Sequence, residues 1–176
     1  MCKKNYPCSY GQNVLFTLVL WLMDKVIIYT DGASQGNPGP GGYGVVMMSG
    51  SRRKELSEGF RLTTNNRMEL LSVIVALETL KKINLDITIY SDSKYVVDAV
   101  NKGWVFGWSK KNFSGKKNVD LWRRFLKIYV LHKPKFVWVK GHADNPYNER
   151  CDELAVAAAQ SPPLTVDTVY EAESKA

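Results

Sequence analysis

Four acidic residues, Asp31, Glu69, Asp92 and Asp152, stand where a fold of sheets and helices gathers side chains at one edge. Asp31 closes a β-branched run over 25–31 (KVIIYTD), and Asp92 directly follows another over 86–91 (DITIYS). Glu69 lies in the first turn of a helical stretch, and Asp152 in the first turns of a second one. Sites in open α/β sheets form beyond the carboxyl ends of strands, where the strand order reverses. If the two strands are neighbours, both carboxylates stand side by side there. Like charges packed together are costly unless cations neutralise them, and carboxylate oxygens suit hard cations, so the cluster predicts Mg²⁺ or Mn²⁺. Each acid alone also has a structural explanation. Asp31-Gly32 is a turn dipeptide, and Asn66 with Glu69 has capping-box spacing. Asp92 could cap a helix starting at Ser93, and Asp152 could favour a helix dipole. These explanations leave open why all four fall at one edge.

The positioning elements follow from periodicity. After the first strand comes a Gly/Pro loop over 36–42 (GNPGPGG), then strands over 44–49 and 55–62, an antiparallel meander. Residues 66–82 place apolar side chains at helical spacing around a wide buried stripe. The fourth strand is 86–91, a short helix over 93–101 is stopped by Gly103, and helical spacing resumes over 119–131. Residues 135–140 (KFVWVK) form a fifth strand, and an Ala-rich helix over 148–160 ends at Pro162-Pro163. The crossovers require the first strand to pair in parallel with the fourth. The fold class is therefore α/β, a five-stranded mixed sheet, three antiparallel strands then parallel ones, flanked by helices.

Charge is unevenly spread. The chain of 176 residues carries +7, but 102–140 holds eleven Lys/Arg against the single acid Asp120, so the remainder is mildly acidic. Such a stretch is a nucleic-acid footprint or a solvated basic face. Within it, 104–117 (WVFGWSKKNFSGKK) lacks clean periodicity and reads as an exposed basic protrusion. Three cysteines without Cys-x-x-Cys spacing exclude a disulfide framework and a zinc site, and two histidines are too few for a His-rich metal site. A chain of this length buries enough surface to need neither staple. Cys151 reads as a half-buried helix residue in a reducing compartment.

Residues 1–22 differ from the rest. Their apolar run over 14–23 (VLFTLVLWLM) is too short to span a bilayer, and no small-x-small cleavage site follows it. A dispensable extension with Met23 as an alternative start, a membrane-directing element and an extra packing segment all remain open. Residues 161–176 read as a polar, mildly acidic tail.

Five segments in order, TDGASQGNPGPGG (30–42), TTNNRMEL (63–70), YSDS (90–93), NVDLW (118–122) and VKGHADNPYNERCDELA (139–155), closely resemble bacterial type 1 ribonuclease H. The resemblance runs from about Asp24 to Gln160 and implies a catalytic domain over 23–160 with a ribonuclease H-like fold. It implies a cytoplasmic monomer, with no membrane and no stable protein partner, that cleaves the RNA strand of RNA–DNA hybrids. The family's four metal-binding acids match Asp31, Glu69, Asp92 and Asp152, which would hold two Mg²⁺, with Mn²⁺ as the substitute. His142 matches a loop histidine that helps move protons or release product. His132 matches nothing and reads as a surface residue near a helix end.

Two metals ~3.5–4 Å apart can hold an attacking water on one side of a phosphodiester and stabilise the leaving oxygen on the other. The expected products carry 5′-phosphate and 3′-hydroxyl ends. Choosing RNA requires donors and acceptors for the 2′-hydroxyl. Asn37, Asn65 and Asn66 match positions near the RNA strand, Thr64 and Asn118 match a pocket for a DNA phosphate, and Trp104 matches a residue packed on deoxyribose. Lys110, Lys111, Lys116 and Lys117 would contact phosphates, while Trp108 and Trp122 are expected to stack in the protrusion's own small core. The segment between Trp108 and Asn118 is a few residues shorter than in the longest bacterial versions, which reduces hybrid affinity at most. Alternatives are a catalytically silent hybrid-binding module and another nuclease of this fold, of resolvase or integrase type. The intact acid quartet opposes the first, and the TTNNRMEL and GHADNPYNERCDELA segments oppose the second. A nucleotide-binding domain is excluded by the missing G-x-x-x-x-G-K-[ST].

Overall fold

Alternation along Lys25–Ser34 sends Val26 and Ile28 to one face of a strand and Ile27 and Tyr29 to the other, the period-two pattern of a sheet packed on both sides. In the computed structural model, which describes residues 25–141 and 145–174, this strand is β1. It pairs antiparallel with β2 (Gly39–Ser49), and β2 pairs antiparallel with β3 (Arg52–Thr63). β4 (Asp86–Ser91) and β5 (Lys135–Trp138) run parallel to β1, giving the order β3-β2-β1-β4-β5. The five-stranded mixed sheet expected from the sequence is the sheet observed.

The helices are α1 (Asn65–Glu78), α2 (Lys94–Asn101), α3 (Trp104–Lys110), α4 (Val119–His132), α5 (Pro146–Gln160) and α6 (Thr168–Glu173). α1 packs on β1 and β2 with one side and on α4 with another, so apolar residues are buried around most of its circumference. Its Met68, Leu70, Ile74 and Leu77 join Ile28, Val45, Ile89, Trp122 and Phe125 in one core. Each such side chain contributes roughly 1.5–3 kcal/mol on burial. α5 covers the opposite face. There β2 offers Gly44, where a Cβ would meet the Cys151 carbonyl oxygen at 2.0 Å, so the Ala-rich helix lies directly against the sheet backbone.

Several local expectations change. β1 and β2 extend into the Gly/Pro segment, leaving only the tip around Gly36 outside the ladder. Within the basic protrusion 104–110 is helical, entered through Gly103 in the left-handed region at φ 71°. Trp122 does not belong to a separate small core: it is fully buried in the main one and makes edge contacts with both Trp108 and Phe125. His132 is buried at the end of α4, and burial lowers its pKa, so it is not a surface residue. The polar tail contains ordered structure. Thr165 pairs through its backbone with Gly59 and Arg61 on the edge of β3, and α6 follows. The extension over 1–22 and the loop histidine His142 lie outside the described residues. Among those described, no helix is long and apolar enough to cross a membrane.

Candidate active site

The parallel pairing of β1 and β4 ends in register at Tyr29 and Tyr90, so Asp31 and Asp92 follow side by side at the carboxyl ends of neighbouring strands. Gly32 brings the third acid in. A Cβ there would meet the Glu69 backbone nitrogen at 2.2 Å, so only glycine lets the end of β1 touch α1 at Met68 and Glu69, just past its first turn. Asp152 projects from α5, close enough for its charge to act on Asp31.

Burial and mutual repulsion dominate this corner. Asp31 is 8% exposed and accepts one hydrogen bond from its neighbour Gly32 N at 2.7 Å. Burial first, then the charge of Asp92, then those of Asp152 and Glu69, push its carboxyl up to about 8. Burial likewise pushes Glu69 up to about 7, reinforced by Asp92 and opposed by hydrogen bonds from the Ser93 hydroxyl and from Asn65 Nδ2, the latter at 2.8 Å. Among the described residues no Lys or Arg forms an ion pair with any of the four acids.

A hard divalent cation fits this donor set. The donor atoms on offer are carboxylate oxygens, which suit hard cations, and what the corner lacks is compensating positive charge. Among the described residues no three acid, His or Cys side chains form a complete cage for an ion.

Neighbours that the sequence reading did not single out hold the acids. Ser93 caps α2 by accepting from Val96 N and donates its hydroxyl to Glu69. Asn148, 3% exposed, donates to Asp92 Oδ2 at 3.3 Å, and the Trp138 indole donates to the Asp92 carbonyl at 3.0 Å. Gly141 leaves room for the Asp92 carboxylate, 2.5 Å from where a Cβ would sit. Ser93 and Asn148 both lie inside the motif segments; what concealed them was their packing.

Beside the acids opens a cleft of about 780 Å³ that brings together Asn37, Thr64, Asn66, Trp104, Lys116, Lys117 and Asn118. Thr64 caps α1 by position, but its hydroxyl makes no capping bond and stays available at the cleft. Asn65 bridges cleft and acids: its backbone N–H donates to Asn37 Oδ1 at 3.4 Å while its side chain holds Glu69. Lys116 lies over the Trp108 ring, 5.0 Å from its centroid, and Trp104 remains 46% exposed. Lys110 and Lys111 stand exposed at the end of α3, outside the cleft lining.

Comparison with known proteins agrees with this geometry. A family model described as RNase H matches residues 23–160. The Ribonuclease H of Desulforamulus reducens is 56% identical over 150 residues, covering 82% of this chain and 94% of the relative. The Ribonuclease HI of Shewanella oneidensis is 53% identical over 152 residues, covering 84% and 95%. Among solved structures, LC9-RNase H1, a type 1 RNase H with the type 2 active-site motif, is similar with a TM-score of 0.72 at 30% identity, covering 88% of this chain and 82% of that one. LC11-RNase H1 in complex with RNA/DNA hybrid gives 0.60 at 29% identity, covering 77% and 97%.

Proposed function

The chain belongs to the ribonuclease H family, and on that premise we propose that Asp31, Glu69, Asp92 and Asp152 carry hydrolysis of the RNA strand of RNA–DNA hybrids. The observation that carries this assignment is the convergence of Asp31, which is buried, with Asp92, Glu69 and Asp152 at the ends of β1 and β4, beside a cleft lined with amide donors and lysines.

Two Mg²⁺ ions, or Mn²⁺ in their place, would be held by the four carboxylates and would supply Lewis-acid polarisation of the phosphodiester and a more acidic water. The chain's own residues do the rest. Ser93 and Asn65 hold the Glu69 carboxylate, and Asn148 holds that of Asp92, which restricts the rotation of both side chains. Asn37, Asn65 and Asn66 offer donors and acceptors for the 2′-hydroxyl next to Glu69. Thr64 and Asn118 take a phosphate of the DNA strand, Trp104 packs on its sugar, and His142 assists proton movement or product release. The catalytic domain spans 23–160, the extent of the family match, with the basic protrusion at about 104–118 and the polar segment 161–176 appended. We take it as a cytoplasmic monomer without a stable protein partner, a reading in keeping with the free, buried Cys151.

The test is a cleavage assay on four labelled substrates: RNA–DNA hybrid, duplex RNA, duplex DNA and single-stranded RNA, each with Mg²⁺ and with chelator. Only the RNA strand of the hybrid should be cut, only with Mg²⁺, leaving 5′-phosphate and 3′-hydroxyl ends. Cleavage of duplex DNA, or an intact hybrid in Mg²⁺, would overturn the proposal.

The lysines make a second expectation. Replacing Lys110, Lys111, Lys116 and Lys117 together with Ala should weaken hybrid binding. It should also flatten the dependence of log K on log salt by up to roughly 0.9 for each phosphate that is no longer neutralised. A titration at several salt concentrations reads both. Superimposable curves for variant and parent would remove these residues from the interface.

A further inference from the structure

Arg67 is 2% exposed, and its donors are spent inside the fold. Nε and Nη2 reach the Asp167 carboxylate at 2.8 and 2.9 Å, and Nη1 and Nη2 reach that of Asp120 at 2.9 and 2.8 Å. Nη1 also extends to Asn118 Oδ1 at 3.4 Å. That longer contact decides what Asn118 can offer a ligand. A guanidinium only donates, so the atom facing it must be the amide oxygen. The amide nitrogen then turns the other way and donates to the Tyr95 hydroxyl at 3.1 Å, which also accepts from the Trp122 indole at 2.7 Å. Tyr95, Thr64 and Asn118 line the same cleft. With this orientation Asn118 keeps a second N–H for a phosphate, whose oxygens only accept. The reversed amide would set its oxygen against the anion.

Arg67 is aimed from a distant part of the chain. Asp167 lies in the segment after α5, tied to the edge of β3 through Thr165 and to Arg61 through Glu171 at 2.7 and 2.8 Å. Asp167 also accepts from Tyr170 N and so caps α6, whose Tyr170 ring lies 5.5 Å from the Arg67 guanidinium and forms part of the cleft wall. Asp120 alone, more exposed than Asp167, would leave the Nε side of the guanidinium unpaired and free to turn.

We propose that Asp167 is a positioning residue for the DNA-strand phosphate site: with Asp120 it clamps Arg67, and Arg67 holds the Asn118 amide with its donor toward the phosphate. The inference rests on the reading of Thr64 and Asn118 as that site. It adds to that reading a working role for the C-terminal segment.

The experiment compares KM and kcat on an RNA–DNA hybrid in Mg²⁺ for the parent, Asp167→Ala, Asp167→Asn, Asn118→Ala and the Asp167→Ala/Asn118→Ala pair, well below every melting temperature. Asn118→Ala should raise KM about tenfold, the worth of a hydrogen bond to a charged group. Asp167→Ala should raise KM about three- to tenfold with kcat within about twofold, and the pair should be no worse than Asn118→Ala alone. The side-chain amide resonance of Asn118 should shift in Asp167→Asn, which carries the comparison if Asp167→Ala does not fold. A purely structural role would lower the melting temperature and leave KM alone. Removing a negative charge beside an anion site would by itself lower KM. An unchanged or lower KM in both Asp167 variants while Asn118→Ala raises it, or effects that multiply in the pair, overturns the inference alone. An unchanged KM for Asn118→Ala overturns the phosphate-site reading and the inference with it.

Discussion

Asp31→Asn abolishes hybrid cleavage, by at least roughly 10³-fold in kcat, and at the same time raises the melting temperature of the metal-free protein. The loss of activity follows from removing a charged oxygen donor at the centre of the cluster. Changes one shell further from a metal already cost about 10–100-fold, and a direct ligand costs more. The gain in stability follows from the carboxyl's position, buried and pushed up to about 8 by burial and by the charges of Asp92, Asp152 and Glu69. A carboxyl whose pKa is higher folded than unfolded binds more protons in the folded state. Its full contribution is therefore present below about 4 and is lost as pH rises toward about 8. Asparagine keeps the shape and removes the ionisation. The variant's advantage should be absent near pH 4 and largest near pH 8, at about 2–4 °C per kcal/mol relieved. Mg²⁺ should narrow it, because cations bound to the parent cluster stabilise the folded state. Calorimetric scans across pH with chelator, beside the cleavage assay, read both halves. A variant that keeps more than about one per cent of activity, or that melts below its parent at pH 8, would remove Asp31 from the cluster's centre.

The neighbouring placement of Asp31 and Asp92 was legible because each stands at the end of a strongly patterned strand. Alternation over 25–31 and 86–91 locates two strand ends, and the need for crossovers makes those strands parallel neighbours, as the register of Tyr29 with Tyr90 bears out. Individual roles at the ends of elements were less legible. Asp92 offered itself as a cap for the following helix, but Ser93 takes that place and holds Glu69 as well. Asn66 and Glu69 had capping-box spacing, yet α1 is capped by position at Thr64, and Glu69 is engaged by Asn65 and Ser93. Spacing along a chain cannot choose between local bonds and bonds to another element, and burial here favours the second. The segment beyond Gln160 concealed most. Its polarity reads as solvation, but Asp167 and Glu171 are buried against arginines more than ninety positions earlier, and nothing in the local pattern announces partners so distant.

That concealed network carries the second large effect. Arg67→Ala should destabilise the fold by about 3–5 kcal/mol, a fall of roughly 10 °C in melting temperature. A buried ion network is not in itself strong evidence of net stability, since desolvating its members can cost as much as their attraction returns. Removing one member is different. Without Arg67, Asp120 and the buried Asp167 are left without the cation that both of them grip, and the Tyr170 ring loses the charge beneath it. pH separates this cause from a simple loss of packing. Burial alone would raise the Asp120 carboxyl, but the hydrogen bonds and charge of Arg67 outweigh it and hold the group below its usual value. In the parent, that stabilisation is complete above the ordinary carboxylate range and is lost only as pH falls below it. In Arg67→Ala the sign reverses, because burial then acts on the Asp120 carboxyl without Arg67 to oppose it, and protonation relieves it. The gap between parent and variant in urea unfolding should therefore be widest near pH 7 and narrower near pH 4. A gap of similar size at both would assign the loss to the missing side-chain volume. Arg67→Lys should recover only part of the difference, because one ammonium cannot present the planar fork that engages both carboxylates at once.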